Sequence, residues 1–263
     1  MPTGQAVETR GHVVGFQEEI QIAAAQGKDP FFTWFDSAAD TEAAFVRGTW
    51  DFLIHVAMPA ARYLACPEEK TVLEIGHGGG RILAAACRSF RKGIGIDVHD
   101  NNALVEGELR ARGVANCRLV KTDGRCIPVG DCTVDLVYSF IVLQHVERID
   151  VFKSYFAETH RVLKPGALAV LYFGRKRRFS LNKRSRLLYW ADRLLEELSL
   201  RRRGYQEIPA RVNETNLVVA MSFAKRLSRS LRFEILKTLV SRKRVPDGMD
   251  LFGGQHGLLL RKP

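Results

Sequence analysis

Residues 72–80 read VLEIGHGGG, in which an apolar run ends at an acid and four of the last five residues are glycine. The run over 71–75 is typical of a buried strand, and the residues over 81–90 have the periodicity of a helix. A glycine-rich turn from strand to helix is the usual ligand-binding turn of an open parallel sheet, because glycine lets a ligand approach the main chain. This stretch therefore predicts an α/β fold with a ligand at the end of its first strand.

The same alternation of apolar runs and helical periodicity continues along the chain. The predicted strands are 71–75, 93–97, 117–123, 134–140 and 167–173, and the predicted helices between them are 81–90, 101–113 and 151–166. A further helix is predicted over 213–230, and two final strands over 232–240 and 255–262. Such alternation predicts a doubly wound, mostly parallel sheet.

The region before the first strand lacks strand patterns. Residues 1–66 are predicted to form a helical cap or lid, interrupted at Pro30 and the aromatic cluster 31–35, with a later helix over 45–64 that has a kink or a break at Pro59. The expected organisation is then a core over 67–174, a basic helical insertion over 175–212, and a last helix and two strands over 213–263.

Positive charge is concentrated in one late segment of the chain. The net charge is +11, yet residues 175–244 hold 20 Lys/Arg and 6 Asp/Glu, whereas residues 1–174 hold 18 and 21. Apolar residues over 187–198 fit one stripe of a helix. We consider three interpretations: a helix packed on the domain with a solvated basic face, a site for an anionic substrate such as a phosphorylated, sulfated or lipid-linked sugar, and a contact with an anionic membrane surface or nucleic acid.

Some classes of protein are disfavoured by composition. No apolar run of 18 residues or more predicts a transmembrane helix, and the first residues lack the pattern of a secretory signal, so we expect a cytoplasmic protein. The five cysteines form no C-x-x-C pair. We therefore expect reduced thiols and no metal site.

The glycine spacing separates two classes of cofactor. A dinucleotide site requires G-x-G-x-x-G, but Arg81 stands where the third glycine of that motif would fall. The glycines at 76, 78 and 80 instead read G-x-G-x-G, and Glu74 precedes the first of them by two residues. A dinucleotide-dependent oxidoreductase is therefore disfavoured.

This acid–glycine pattern resembles the nucleotide-binding motif of the class I S-adenosylmethionine (SAM)-dependent methyltransferases. The resemblance continues at Asp97, at Asp123, in VDLVYSFIVLQHV (134–146) and in RVLKPGALAVL (161–171). It covers about residues 68–173 strongly and 213–263 weakly. It implies a Rossmann-like, mostly parallel seven-stranded sheet whose last strand is antiparallel, and SAM as the cofactor.

The resemblance also implies a set of cofactor-binding residues: Glu74, Gly76, His77, Gly78, Gly80, Asp97, Val98, Asp123, Gly124 and Phe140. In the family the glycine loop holds the methionine part of the cofactor, and the acid at the place of Glu74 reaches its amino group. The acid at the place of Asp97 accepts from the ribose hydroxyls, and the one at the place of Asp123 reads the adenine. From the residues alone, a strand-end cap, a helix N-cap and a turn residue remain the respective alternatives.

Two further candidates come from outside these motifs. His145 follows the fourth predicted strand, and a histidine there could take a proton from the acceptor, since its unperturbed pKa is about 6.5. The alternative is a structural histidine. The segment FVRGTWD (45–51) resembles a lid that many bacterial members carry, in which Arg47 would face the methionine carboxylate.

We therefore expect transfer of a methyl group from SAM to an oxygen or nitrogen of a small-molecule or carbohydrate-like acceptor, as in bacterial small-molecule and glycan enzymes of the family. Two alternatives remain open: a SAM-binding protein without transfer activity, and an RNA methyltransferase that uses the basic 175–244 surface. Nucleic acid is the less favoured partner, because aromatic residues are not interleaved with the basic ones. The oligomeric state is not predicted.

Overall fold

The computed structural model describes residues 14–176, 186–208, 215–241 and 254–263. The helices are α1 Val14–Gln26, α2 Lys28–Trp34, α3 Thr41–Asp51, α4 Met58–Ala60, α5 Arg81–Cys87, α6 Asn102–Ala111, α7 Ile149–Val162, α8 Arg186–Ser199 and α9 Met221–Ser230. The strands are β1 Thr71–Ile75, β2 Lys92–Asp97, β3 Cys117–Lys121, β4 Val134–Ser139, β5 Leu163–Phe173, β6 Tyr205–Glu207, β7 Leu217–Val219, β8 Glu234–Val240 and β9 His256–Arg261.

Seven strands form the central sheet, in the order β3-β2-β1-β4-β5-β9-β8. Strands β1 to β5 pair in parallel, and β9 is antiparallel to both of its neighbours. The predicted fold class, a Rossmann-like and mostly parallel seven-stranded sheet with an antiparallel last strand, is therefore confirmed. The strand order reverses between β1 and β4, which leaves a crevice at the carboxyl ends of these two strands.

Strand β1 lies in the interior of the sheet between β2 and β4, and all five of its residues are buried. Leu73 packs in one apolar cluster with Phe152 and Phe156 of α7, while Val72 packs on the opposite face with Phe52 and other residues. Helices cover both faces, which is why the parallel strands are continuous apolar runs rather than alternating ones.

The N-terminal helices share a core with the sheet domain. Phe31 and Phe32 of α2 pack in one cluster with Leu83 of α5 and Leu109 of α6. The predicted interruption at Pro30 and the aromatic cluster was wrong, because Pro30 lies in the first turn of α2, where its missing N–H has no helical partner to lose.

At Pro59, where a kink or a break was predicted, the helix is distorted but does not break. Helix α3 continues through a π-helical segment, Phe52–Ala57, into α4. Pro59 cannot donate to the carbonyl four residues earlier, that of His55. The Tyr172 hydroxyl donates to this carbonyl instead, at 3.0 Å, so the helix continues without leaving a buried acceptor unpaired.

Several element boundaries differ from the predictions, and two of these differences have a clear physical cause. The predicted helix over 213–230 begins only at Met221, because the apolar run Leu217–Val219 is fully buried and pairs with Tyr205–Glu207 as a two-stranded sheet. Helix α7 ends at Val162, before the predicted stop, since a residue that precedes proline disfavours helical geometry.

The described part of the predicted insertion, 175–212, contains α8 and β6; the basic residues over 177–185 lie outside the described ranges. Helix α8 packs on the domain, but its apolar stripe is exposed. The first interpretation above expected a basic face in the solvent, whereas the structure has the apolar face there. Among the described residues, no helix has both the length and the apolar character that crossing a bilayer requires.

Candidate functional site

A cavity of about 980 Å³, including solvent at its mouth, lies at the carboxyl ends of the parallel strands. Its walls include the turns that follow β1, β2, β3 and β4, which contribute Gly76–Gly79, Asp97 with Val98, Thr122, and Phe140–Val142. The cavity lies at the switch point of the sheet, where open parallel sheets bind their ligands.

The turn after β1 requires glycine at two positions. Gly76 and Gly78 have φ angles of 76° and 51°, in the left-handed region. A Cβ on Gly76 would lie 2.2 Å from a methyl of Val142, and one on Gly78 would lie 2.8 Å from the Phe35 ring. Glycine is required at these two positions because Val142 and Phe35 already occupy the space that a Cβ would need.

Asp97 binds this loop to the end of β2. Its Oδ2 accepts the Gly78 N–H at 2.7 Å, and its Oδ1 accepts the Val98 N–H at 2.7 Å. Burial alone would raise the pKa of this carboxyl group, but the facing rings of His99 and His77 and the two N–H bonds outweigh it and lower the pKa. The group is therefore ionised, and each oxygen can accept a further hydrogen bond from a ligand hydroxyl.

Glu74 lies on the other side of the loop and is only 2% exposed. Its Oε2 accepts a hydrogen bond from the Tyr138 hydroxyl at 3.1 Å. Burial raises the pKa of this carboxyl group well above its usual value, although Tyr138 and the Arg81 charge oppose the shift. A cationic ligand group beside Glu74 would offset the cost of ionising it there.

Two buried histidines hold the carbonyl of Gly78. His77 Nδ1 lies 2.9 Å and His99 Nε2 lies 3.1 Å from this oxygen. His99 Nδ1 accepts the Asn101 N–H, so its Nε2 carries the proton that is donated to Gly78. Burial lowers the pKa of His77 to about 4, and both rings support the loop through their contacts with the Gly78 carbonyl.

The same histidines and Asp97 form a group whose ligand-type atoms all lie within 4.8 Å of one another. Both oxygens of Asp97 and both nitrogens of His99 already face backbone groups of the loop. Metal binding would have to displace these bonds. The expectation of no metal site stays a prediction.

Arg81 extends beneath the loop and is paired with two buried acids. Its Nη1 donates to Asp51 at 2.6 Å, and its Nε lies 3.6 Å from Asp36. Burial raises the pKa of Asp36, and the Arg81 charge opposes that shift. A buried pair of this kind stays favourable only while both partners are present.

The segment 45–51 lies next to Arg81 rather than over the cavity. A Cβ on Gly48 would lie 2.4 Å from the Arg81 carbonyl oxygen, so the two backbones are in direct contact. Arg47 donates to the backbone carbonyl of Asp36 at 2.5 Å. The lid-like role expected for this segment, with Arg47 facing the ligand, is therefore not the one that its position supports.

Helices α1 and α2 cover the cavity instead. They and the residue directly after α2 contribute four apolar side chains to its lining: Phe16, Ile20, Trp34 and Phe35. Gln17 Nε2 donates to the Val98 carbonyl at 2.7 Å, so α1 is bound to the turn after β2. The sequence analysis placed the lid motif at residues 45–51 of the N-terminal cap, whereas the residues that line the cavity come from earlier in that cap.

His145 lines the cavity from the turn after β4 and is half-buried. Its ring lies 5.5 Å from the ring of Phe16, and its Nε2 lies 3.1 Å from the amide nitrogen of Gln144. Ile141, in the same turn, has a φ of 75°, which is strained for a β-branched residue and is most often seen at functional sites.

Three of the residues predicted to bind a cofactor lie outside the cavity lining: Gly80, Asp123 and Gly124. Asp123 is exposed, and its Oδ1 accepts the N–H groups of Arg125 and Cys126 at 2.8 and 2.9 Å, as a turn residue does. Thr122 lines the cavity in its place. The other seven, together with Tyr155 and Arg81, which were not predicted, are brought to one cavity.

The glycine requirement can be tested with a matched pair of substitutions. Gly76 and Gly113 have the same φ of 76°, but a Cβ on Gly113 would meet no atom within 4 Å. We expect Gly113→Ala to lower the free energy of unfolding by about 1 kcal/mol from backbone strain, and Gly76→Ala by about 2–4 kcal/mol because the Val142 clash is added. Urea denaturation measures both; equal losses would contradict the described packing.

Sequence comparison places a known family on the central part of the chain. Residues 73–171 match the profile of a family described as "Methyltransferase domain". An uncharacterized methyltransferase of Mycobacterium sp. (strain JLS) is 29% identical over 140 residues, 53% of this chain. That match spans 49% of the relative's length, so the chain corresponds to about half of the curated relative.

Structural comparison extends the likeness to the fold of the whole chain. A SAM-dependent methyltransferase from Methanosarcina mazei has a TM-score of 0.52 at 22% identity, covering 78% of this chain and 96% of that one. The [4+2]-cyclase SpnF has a TM-score of 0.60 at 16% identity, covering 100% and 99%. Residues 73–171 are therefore similar to a methyltransferase domain, and the described fold is the Rossmann-like one of these solved structures.

Proposed function

We propose that the chain transfers a methyl group from SAM to an oxygen or nitrogen of a small-molecule or carbohydrate-like acceptor. One observation carries the proposal: an ionised carboxylate, Asp97, and a buried acid, Glu74, flank a glycine turn in a single cavity.

The polar groups of SAM match those of the cavity. Its ribose offers two hydroxyl donors, and the two oxygens of Asp97 each retain an acceptor position for them. Its ammonium group would supply the positive charge that the buried Glu74 lacks. The bare turn from Gly76 to Gly79 lets the remainder of the molecule approach the main chain.

When bound, SAM supplies a methyl group on a sulfonium whose departure leaves a neutral thioether, so the leaving group needs no acid. The contribution of the chain is then alignment of acceptor, methyl and sulfur. Phe16 and Trp34 of the lid helices give the cavity an apolar wall. His145 lies in the turn after β4 and lines the cavity. We assign to it the removal of the proton from the acceptor.

The acceptor class rests on the family resemblance and on the basic segment. Helix α8 lies at the same edge of the sheet as the cavity, because Glu196 bonds to His256 at the start of β9, opposite the end of β5 at Phe173. A basic segment at this edge favours an anionic acceptor. The cytoplasmic location expected from the sequence stays a prediction.

Binding and transfer have to be measured separately. The fold of this chain aligns over its full length with that of a [4+2]-cyclase, so the fold can hold chemistry other than methyl transfer. A SAM-binding protein without transfer would bind the cofactor and methylate nothing. An RNA methyltransferase would show salt-sensitive RNA binding that is lost when Arg201–Arg203 are neutralised.

The cofactor site is tested by calorimetric titration with S-adenosylhomocysteine. We expect micromolar binding, and Asp97→Asn should weaken it at least about tenfold, or about 1.4 kcal/mol, because one acceptor for the ribose is lost. Asp123→Asn is the matched control, since this acid lies outside the cavity lining, and NAD is the control ligand. Absence of binding in a folded sample, or an equal loss in Asp123→Asn, would refute the assigned site.

The role of His145 is tested by kinetics once an acceptor is known. We expect His145→Asn to lower kcat about 100-fold or more, with the Kd of S-adenosylhomocysteine nearly unchanged, since the ring acts on the acceptor. His160→Asn serves as the control, because that ring packs on Phe233 away from the cavity. A full kcat in His145→Asn would leave the ring a lining residue only.

A further inference from the structure

Helix α8 is attached to the domain by its acidic residues. Asp192 and Glu196 are 5% and 3% exposed. Asp192 lies 3.8 Å from the Arg175 guanidinium, and Glu196 bonds to His256 Nε2 at 2.8 Å and to the Lys176 N–H at 2.7 Å. The inward face of the helix is therefore its charged face.

The outward face of α8 is apolar. Five large side chains are exposed on it: Leu187 82%, Trp190 58%, Leu194 62%, Leu195 45% and Leu198 55%. They recur every three or four residues and so form one stripe along the helix. An ordinary surface helix has the reverse arrangement, with its apolar stripe on the core. A continuous exposed stripe of this kind is typical of an interaction surface.

The surroundings of this stripe are basic. Residues 175–204 contain eleven Lys/Arg and three Asp/Glu, a balance of +8. Two of the three acids, Asp192 and Glu196, are buried, and the third, Glu197, accepts hydrogen bonds from Ser222. The exposed Arg201–Arg203 follow the helix directly, and the Arg193 guanidinium lies 5.2 Å from the Trp190 ring. The described part of this segment thus presents the cations of Arg193 and Arg201–Arg203, while its acids are turned away.

We propose that α8 docks in the plane of an anionic lipid bilayer surface. The leucines would enter the boundary between headgroups and acyl chains, Trp190 would lie at the headgroup level, and the arginines would bind lipid phosphates. The inference is independent of the proposed methyl transfer.

Other occupants fit the surface less well. A second copy that covered the stripe would bring two basic segments of +8 together, and their charges would repel. A nucleic acid would bind the arginines but would leave the leucines exposed to water. An anionic bilayer satisfies both the apolar stripe and the charge around it.

Vesicle binding of the full chain tests the proposal. The probes are vesicles of phosphatidylcholine alone and of phosphatidylcholine mixed with phosphatidylglycerol, with binding followed by cosedimentation and by tryptophan fluorescence. We expect binding to the anionic vesicles, weakened by salt, and a blue shift of the emission that Trp190→Phe removes. Arg201–Arg203→Ala should lower partitioning about a hundredfold at low salt.

The stripe is tested by a double substitution with a matched control. Leu194→Ser with Leu198→Ser should weaken partitioning at least about tenfold, since two apolar side chains no longer enter the boundary. Leu53→Ser with Met58→Ser removes two other exposed apolar side chains and should leave binding unchanged. All four residues are exposed, so their replacement keeps the core intact.

Three results would overturn the proposal. The first is no binding of the wild type to anionic vesicles at low salt. The second is binding that the Leu194→Ser, Leu198→Ser variant retains in full. The third is a concentration-dependent dimer that this variant dissociates, without vesicle binding, which would assign the stripe to a second copy of the chain.

Discussion

The candidate site depends on the carboxylate of Asp97. It accepts the N–H of Gly78 from one strand turn and the N–H of Val98 from the next, so a single side chain joins the ends of β1 and β2. A buried charge is costly unless it is hydrogen-bonded, and here the two N–H groups and the neighbouring histidines supply the compensation. These bonds fix the glycine loop beside the cavity, with its backbone in the cavity lining.

Buried charge of both signs continues beneath this loop. Arg81 joins Asp36, which follows α2, to Asp51, at the end of α3. Removing one partner would leave the buried charge of the others uncompensated and would destabilise the fold. Because α1 and α2 also line the cavity, the N-terminal helices are part of the site. The predicted boundary at residue 66 therefore separates segments that share one core.

The sequence predicted an element correctly where its pattern is compatible with only one structure. Strand β1 has the predicted bounds, 71–75. A short apolar run between turn residues is typical of a buried strand in a parallel sheet. Asp97 was found by its place at a strand end. Asp123 had the same signal but lies in a turn outside the cavity, since loop geometry after a strand end is not set by residue type. At Pro59, the sequence could not reveal that a distant tyrosine, Tyr172, would satisfy the freed carbonyl.

Periodicity alone also could not orient α8. The pattern over 187–198 specifies a stripe, but which side faces the domain is decided by Arg175 and His256, which attract the acids of the helix. The apolar side was assigned to the core by default, and the structure has it outside. Such an inversion appears only when long-range charge pairs are known.

The proposed site can be checked by a crystal structure grown with S-adenosylhomocysteine. We expect the ligand in the cavity, with both ribose hydroxyls on the Asp97 carboxylate and the amino group beside Glu74. A ligand bound elsewhere, or one in the cavity whose ribose does not contact Asp97, would contradict the proposal.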